Sequence, residues 1–163
     1  MLDTYKEYER CIVYDGTMKS MDKNRELMEA FHFEGYSIDI LFIDCDVCLA
    51  YLRAKTRALK TGRDVDKTIV RDSNYLSAKT IYTIIKTYPN LINEVSILYS
   101  GLAEDGKDYL SLIYNNENGG TIYNEELYKK FSQKALTPES RFISTDEMIN
   151  EVKKIGGSIY GNK

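Results

Sequence analysis

Residues 36–44 of this chain, Tyr-Ser-Ile-Asp-Ile-Leu-Phe-Ile-Asp, form the strongest β-strand signal in the sequence. Their centre is a nearly continuous apolar run, which is typical of a strand buried on both faces. A shorter run of the same kind, Cys11-Ile-Val-Tyr14, is halted by Asp15-Gly-Thr17. Between the two runs, apolar residues at helical spacing follow Ser20 and end at Gly35. Strand, helix and strand in this order predict a βαβ unit with parallel strands.

Helical patterns dominate the next part of the chain. Asp46 is a candidate N-cap of a helix that ends at Thr61-Gly62. A second helical stretch extends from Asp66 to Tyr88, where Pro follows, and we expect a break in it near Asp72-Ser-Asn74. Further along, Ser144-Thr-Asp-Glu147 has the spacing of a capping box and predicts the start of a last helix.

Two further runs, residues 95–99 and 109–114, have the composition of strands, and the second alternates like a strand of an antiparallel pair. With the helices they predict an α/β domain of three layers, with helices on both faces of a mainly parallel sheet and a small antiparallel edge. We expect the 163 residues to form one domain, with a core over about 11–100 and a C-terminal strand and helix extension over about 101–163.

Composition excludes several classes of protein. Hydrophobic residues make up 43% of the chain and Gly and Pro together number twelve, so the sequence is not of the disordered or collagen-like class. A net charge of −3 gives no general reason to bind nucleic acid or an anionic membrane. The apolar runs fall short of the roughly 20 residues that span a bilayer. No secretory leader is visible, and three cysteines do not form a disulfide framework, so we expect a cytoplasmic protein without membrane or nucleic-acid partners.

The spacing Cys45-Asp-Val-Cys48 allows two interpretations. A thiol redox site, or half of a zinc site, needs such a pair at the start of a helix. The alternative is that these are packing residues. The chain offers no second cysteine pair and only one histidine, His32, which we expect to be a partly buried packing residue. We favour packing and expect no metal site.

Basic residues concentrate after the second strand. Arg53 and Arg57 are four residues apart, so they share one face of a helix, and Arg63 and Arg71 follow across Gly62. One interpretation is a solvated amphipathic helix. The other is a phosphate-binding lid, because the carboxyl ends of parallel strands are where α/β proteins bind ligands, and arginines can hold phosphate oxygens bidentately. The position in the sequence favours the lid.

Several motifs occur in a fixed order along this stretch. They are Asp15-Gly16-Thr17, Gly35-Tyr36, the strand Ile38 to Ile43, Arg53 with Arg57, Gly62-Arg63-Asp64-Val65-Asp66, and Arg71. In this order they resemble the zeta-toxin-like P-loop kinases, over about residues 11 to 100.

The resemblance implies an activity and a set of site residues. In such kinases the lid arginines contact the transferred phosphate, and the acidic-Gly-Thr loop contacts the acceptor. Carried over, this implies catalytic roles for Arg53, Arg57 and Arg71, and substrate-binding roles for Asp15, Gly16, Thr17, Lys19 and Arg63. It also implies ATP and Mg²⁺ as cofactors, a nucleotide sugar or another small phosphorylated molecule as ligand, and a toxin–antitoxin context.

The chain departs from the family pattern in one respect that bears on activity. It contains no Gly-x-x-x-x-Gly-Lys-Ser/Thr loop, which cradles the phosphates of ATP. We therefore expect the N-terminal β–P-loop–α unit to be lacking, and a kinase relative that is inactive as this chain alone. The alternative is an active phosphotransferase whose loop comes from an upstream or partner segment. Either way we expect an exposed strand edge that favours a homodimer or a protein partner.

Overall fold

A four-stranded mixed sheet forms the centre of the molecule. The computed structural model describes residues 11–103 and 105–160, and of residues 156–160 the backbone alone. The strands are β1 (Asp39–Asp44), β2 (Glu94–Leu102), β3 (Asp108–Asn115) and β4 (Thr121–Ile122), in the order β1-β2-β3-β4. β1 and β2 are parallel, whereas β3 is antiparallel to both of its neighbours. The predicted strands at 36–44, 95–99 and 109–114 are thus confirmed, but the sheet is mixed and not mainly parallel.

The described residues also form five α-helices. They are α1 (Met21–Phe33), α2 (Val47–Thr61), α3 (Lys67–Thr87), α4 (Glu125–Leu136) and α5 (Thr145–Tyr160). Short 3₁₀ turns cover Pro89–Leu91, Glu117–Gly119 and Glu139–Arg141. None of the helices in the described part of the chain is long and apolar enough to cross a bilayer.

Local signals set the ends of these helices. The carboxylate of Asp46 accepts hydrogen bonds from the first amides of α2, and Gly62 ends that helix at φ 71°, a conformation that glycine adopts without strain. At α5 the Ser144 hydroxyl and the Glu147 carboxylate cap each other's backbone amides, as the capping-box spacing predicts. The break expected at residues 72–74 is wrong, because α3 continues through them.

Two hydrophobic cores hold the layers together. α1, α3 and α4 pack on the sheet face that carries Ile40, and the side chains buried there include Ile81, Ile97 and Phe131. α2, α3 and α5 form a second core around Val47, Tyr51, Met148 and Tyr75, the last of which stacks on Phe142. Each core therefore contains one of the two C-terminal helices, α4 in the first and α5 in the second.

Two fold predictions are wrong. Residues 11–14 form no strand and Val13 is 94% exposed, because an apolar run becomes a strand only where a neighbouring strand pairs with it. The βαβ unit expected at the start of the chain is accordingly not formed. The second helical layer is also not found among the described residues, since four large aliphatic side chains on the sheet face opposite Ile40 are exposed, namely Leu41, Ile43, Leu110 and Leu112.

Candidate functional site

A cavity lies along the outer edge of β1, and we call it the edge cavity. Its volume is about 720 Å³, and its walls include Leu41, Phe42, Ile43 and Asp44. Successive side chains of a strand point to opposite faces, so four consecutive lining residues place the cavity beside the strand's edge. Within the described residues β1 pairs only with β2, which leaves this edge without a neighbouring strand. That an exposed strand edge binds a partner or a second copy stays a prediction.

The segment before α1 forms one wall of the edge cavity. Asp15, Gly16, Thr17 and Met18 all line it. The segment is held by α3, where the hydroxyl of Ser77 donates a hydrogen bond to the carbonyl oxygen of Thr17. Met18 has φ 52°, in the left-handed region that is uncommon for a residue with a side chain. The acidic-Gly-Thr loop therefore lines the cavity, although the described residues before it, 11–14, form no strand.

Helix α2 forms another part of the wall and brings Arg53 and Arg57 to the cavity. Arg53 is tethered to the β2–β3 hairpin, because its guanidinium forms an ion pair with Asp108 and lies 3.5 Å from the carbonyl oxygen of Gly101. Arg57 is exposed and forms no ion pair with another residue of the described chain. One guanidinium at the cavity is thus anchored, and the other is available to a ligand.

Three other predicted site residues lie outside the cavity wall. Arg71 forms an ion pair with its neighbour Asp72, with the guanidinium Nη2 2.7 Å from the carboxylate, and does not line the cavity. Lys19 and Arg63 are exposed and do not line it either. The structure thus brings together Asp15, Gly16, Thr17, Arg53 and Arg57, whereas the roles of all eight residues stay predictions.

A buried ion pair that the sequence did not predict lies at the carboxyl end of β1. The ammonium of Lys134 on α4 donates to the carboxylate of Asp44 and, at 2.9 Å, to the carbonyl oxygen of Cys45. The two side chains are 11% and 3% exposed. Burial raises the pKa of Asp44 above its ordinary value, and the attraction of Lys134 opposes that rise. Ninety residues separate the partners, so no local pattern predicts the contact.

Next to this ion pair, Asn74 of α3 lines the edge cavity. Its side-chain nitrogen lies 3.1 Å from the carbonyl oxygen of Cys45, which therefore accepts two hydrogen bonds. The side-chain oxygen of Asn74 is buried and has no partner. A buried acceptor without a donor is costly, so this oxygen favours a ligand that carries an N–H or O–H group.

The cysteines and the histidine fit no catalytic or metal site. Burial raises the pKa of the Cys45 thiol, and burial with the nearby Asp46 carboxylate raises that of Cys48 to about 11, so both remain protonated at neutral pH. No group of three metal-ligating side chains is found among the described residues. His32 is exposed, so its prediction as a partly buried residue is wrong.

Comparison with known families identifies the chain. The family model described as Zeta toxin matches residues 2–127. The chain belongs to the zeta toxin family. The match includes the loop at 15–17, β1, α2, α3 and the β2–β3 hairpin, but it ends near the start of α4. Searches of curated proteins and of solved structures found no match.

In this zeta toxin relative the described residues do not by themselves fit Mg²⁺ and ATP. The edge cavity is lined by two carboxylates, Asp15 and Asp44, and the second is already bound to Lys134. Mg²⁺ normally takes one or two carboxylates together with phosphates that are held elsewhere. The loop that would hold those phosphates does not occur in the sequence.

Proposed function

We propose that this protein binds the phosphate groups of a small phosphorylated molecule or nucleotide sugar in the edge cavity. The observation that carries the proposal is that Arg53 and Arg57 line the same cavity as Asp15, Gly16 and Thr17. A guanidinium can hold two phosphate oxygens, while a carboxylate and backbone groups can bind the hydroxyls of the same ligand. Membership of a toxin family supports, as further proposals, a toxin–antitoxin context and a cytoplasmic location.

We further propose that these 163 residues do not transfer a phosphoryl group on their own. Phosphoryl transfer depends on positioning the triphosphate and neutralising its charge. The sequence offers arginines for the second task but no Gly-Lys-Ser/Thr loop for the first. In this proposal the protein keeps the ligand-binding part of a kinase and acts by holding its ligand.

A second candidate function is an active phosphotransferase completed by another segment. It is favoured by the open edge of β1, where a strand from a protein partner, a second copy or an upstream segment would extend the sheet. Light scattering shows whether a second copy of the chain is bound. An open reading frame upstream of the Met1 codon that ends in Gly-Lys-Ser or Gly-Lys-Thr would favour this candidate. ATP turnover by the purified 163-residue chain would contradict the proposal of an inactive chain.

The binding proposal is tested by calorimetry with pyrophosphate, ATP and a nucleotide sugar. Arg57→Ala should weaken binding by about 1.5–3 kcal/mol, or roughly 10- to 150-fold, because a charge-assisted contact is lost. Arg57→Lys should recover part of the affinity, since an ammonium cannot reproduce the bidentate contact. Lys79→Ala removes an exposed charge of α3 that does not line the cavity, so this control should bind like the wild type.

Two results would contradict the proposal. One is a wild type that binds none of the three ligands, and the other is equal binding by Arg57→Ala and the wild type. Binding should also weaken as salt is raised, because the Arg57 side chain is exposed and its charge is screened. Arg71→Ala decides whether that arginine takes part, since its guanidinium pairs with Asp72 outside the cavity wall.

A further inference from the structure

We infer that Lys134 is a positioning residue that fixes the start of α2 and thereby sets where Arg53 and Arg57 stand in the edge cavity. The inference rests on the proposed function of that cavity. Lys134 lies on α4, beyond the residues that the zeta toxin family model matches. Lys134 does not itself line the cavity and does not contact the arginines, and its ion pair is with Asp44 at the cavity wall.

The turn between β1 and α2 is held from two helices. Lys134 donates to the carboxylate of Asp44 and to the carbonyl oxygen of Cys45, and Asn74 donates to the same carbonyl oxygen from α3. These three contacts fix the last residue of β1 and the residue after it. Because the ammonium and the carboxylate are almost fully buried, water cannot easily replace the contacts.

The turn continues directly into α2. Asp46 accepts hydrogen bonds from the amides of Cys48, at 2.7 Å, and Leu49, at 3.3 Å. Arg57 follows eleven residues after Asp46, which corresponds to about 16 Å along a helix axis. A tilt of about 5° at the turn would therefore move the base of Arg57 by more than about 1 Å, a displacement large enough to weaken a directional contact.

A different result is expected if the role of Lys134 is purely structural. A buried ion pair can often be replaced by apolar side chains without loss of stability. If Lys134 served only to neutralise Asp44, the variant Asp44→Leu/Lys134→Met should therefore fold and, because it removes a carboxylate from the cavity wall, bind pyrophosphate at least as tightly as the wild type. If Lys134 positions α2, the same variant should fold but lose one of the two donors to the Cys45 carbonyl oxygen. This variant does not change the net charge.

The experiment measures pyrophosphate affinity by calorimetry, amide hydrogen exchange by NMR and the melting temperature. For Asp44→Leu/Lys134→Met we expect a melting temperature near that of the wild type. We also expect roughly tenfold weaker pyrophosphate binding, as is usual when a supporting residue behind a ligand-binding group is lost, and faster exchange of the amides of Cys48 and Leu49. Lys134→Arg keeps a cationic donor and should retain most of the affinity.

A matched control lies one turn earlier on the same helix. Lys130 is exposed, pairs with Glu126 and does not contact the turn. Lys130→Met removes one positive charge from α4 and should change neither the affinity nor the amide exchange. A fall in affinity like that of the double variant would show that a substitution on α4 away from the turn has the same effect, and it would overturn the inference.

The inference about Lys134 would also be overturned if Asp44→Leu/Lys134→Met had the pyrophosphate affinity or the amide exchange of the wild type. If that variant does not fold, Asp44→Asn/Lys134→Gln gives the same comparison with neutral polar side chains. A wild type that binds no pyrophosphate would refute the proposed function, and the exchange of the Cys48 and Leu49 amides would then decide the role of Lys134 alone.

Discussion

Phe131 lies on α4, outside the residues that the family model matches, and we expect its side chain to contribute strongly to the stability of the fold. Its side chain is 1% exposed, and three other rings lie with centroids 6.1–6.3 Å away, those of Phe42, Tyr82 and Tyr128. Truncating a buried phenylalanine to alanine typically costs 3–5 kcal/mol, and the lost aromatic contacts favour the upper part of that range. We therefore expect Phe131→Ala to lower the free energy of unfolding by about 4 kcal/mol. In a domain of this size that corresponds to a fall in melting temperature of roughly 8–16 °C.

Urea unfolding followed by circular dichroism measures this change, with thermal melting as a second measurement. The control is Phe33→Ala, at a side chain of the same type that is 88% exposed at the end of α1. It should change the free energy of unfolding by less than about 0.5 kcal/mol. A loss of under about 1 kcal/mol for Phe131→Ala would refute the reasoning, because it would mean that α4 is not part of the main core.

Three other predictions concern single contacts. Burial raises the pKa of Asp44 above its ordinary value of 3.8, so the folded state takes up this proton at a higher pH than the unfolded state. The contribution of Asp44 to the free energy of unfolding should therefore increase as the pH falls from above the pKa of the folded state to below 3.8. Urea unfolding at a series of pH values measures this increase, and Asp44→Asn should abolish it. Gly62→Ala should cost about 1 kcal/mol in urea unfolding, because φ is 71° and an added Cβ would meet no neighbouring atom, so only backbone strain remains. Ser144→Ala should cost about 1 kcal/mol by the same measurement, whereas Ser144→Thr, which keeps the capping oxygen, should cost less.

The parts of the fold that local sequence determines could be predicted. The cap at Asp46, the capping box at Ser144 and Glu147 and the stop at Gly62 depend on side-chain and backbone preferences within a few residues. β1 could be predicted because its apolar run is long. These interpretations needed no knowledge of distant contacts.

The errors and omissions have non-local causes. Residues 11–14 have strand composition, but among the described residues no strand lies beside them. The pairing of Lys134 with Asp44 depends on how α4 packs against the sheet, and an isolated lysine in a helical pattern gives no signal of its partner. For the site, the family resemblance named five residues that line the edge cavity together, and it also named Arg71, which does not line the cavity because its position on α3 depends on helix packing and rotation.

The uncovered face of the sheet affects how a stability measurement on this protein should be understood. Leu41, Ile43, Leu110 and Leu112 remain between 37% and 69% exposed, which together is equivalent to about two fully exposed side chains. Burying that surface would contribute roughly 3–6 kcal/mol, comparable to a large part of the net stability of an ordinary domain. Any molecule that covered the face would therefore raise the apparent melting temperature by mass action, in a manner that depends on its concentration. The melting temperature of the isolated chain is accordingly a lower bound for the protein in an assembly that buries these four side chains.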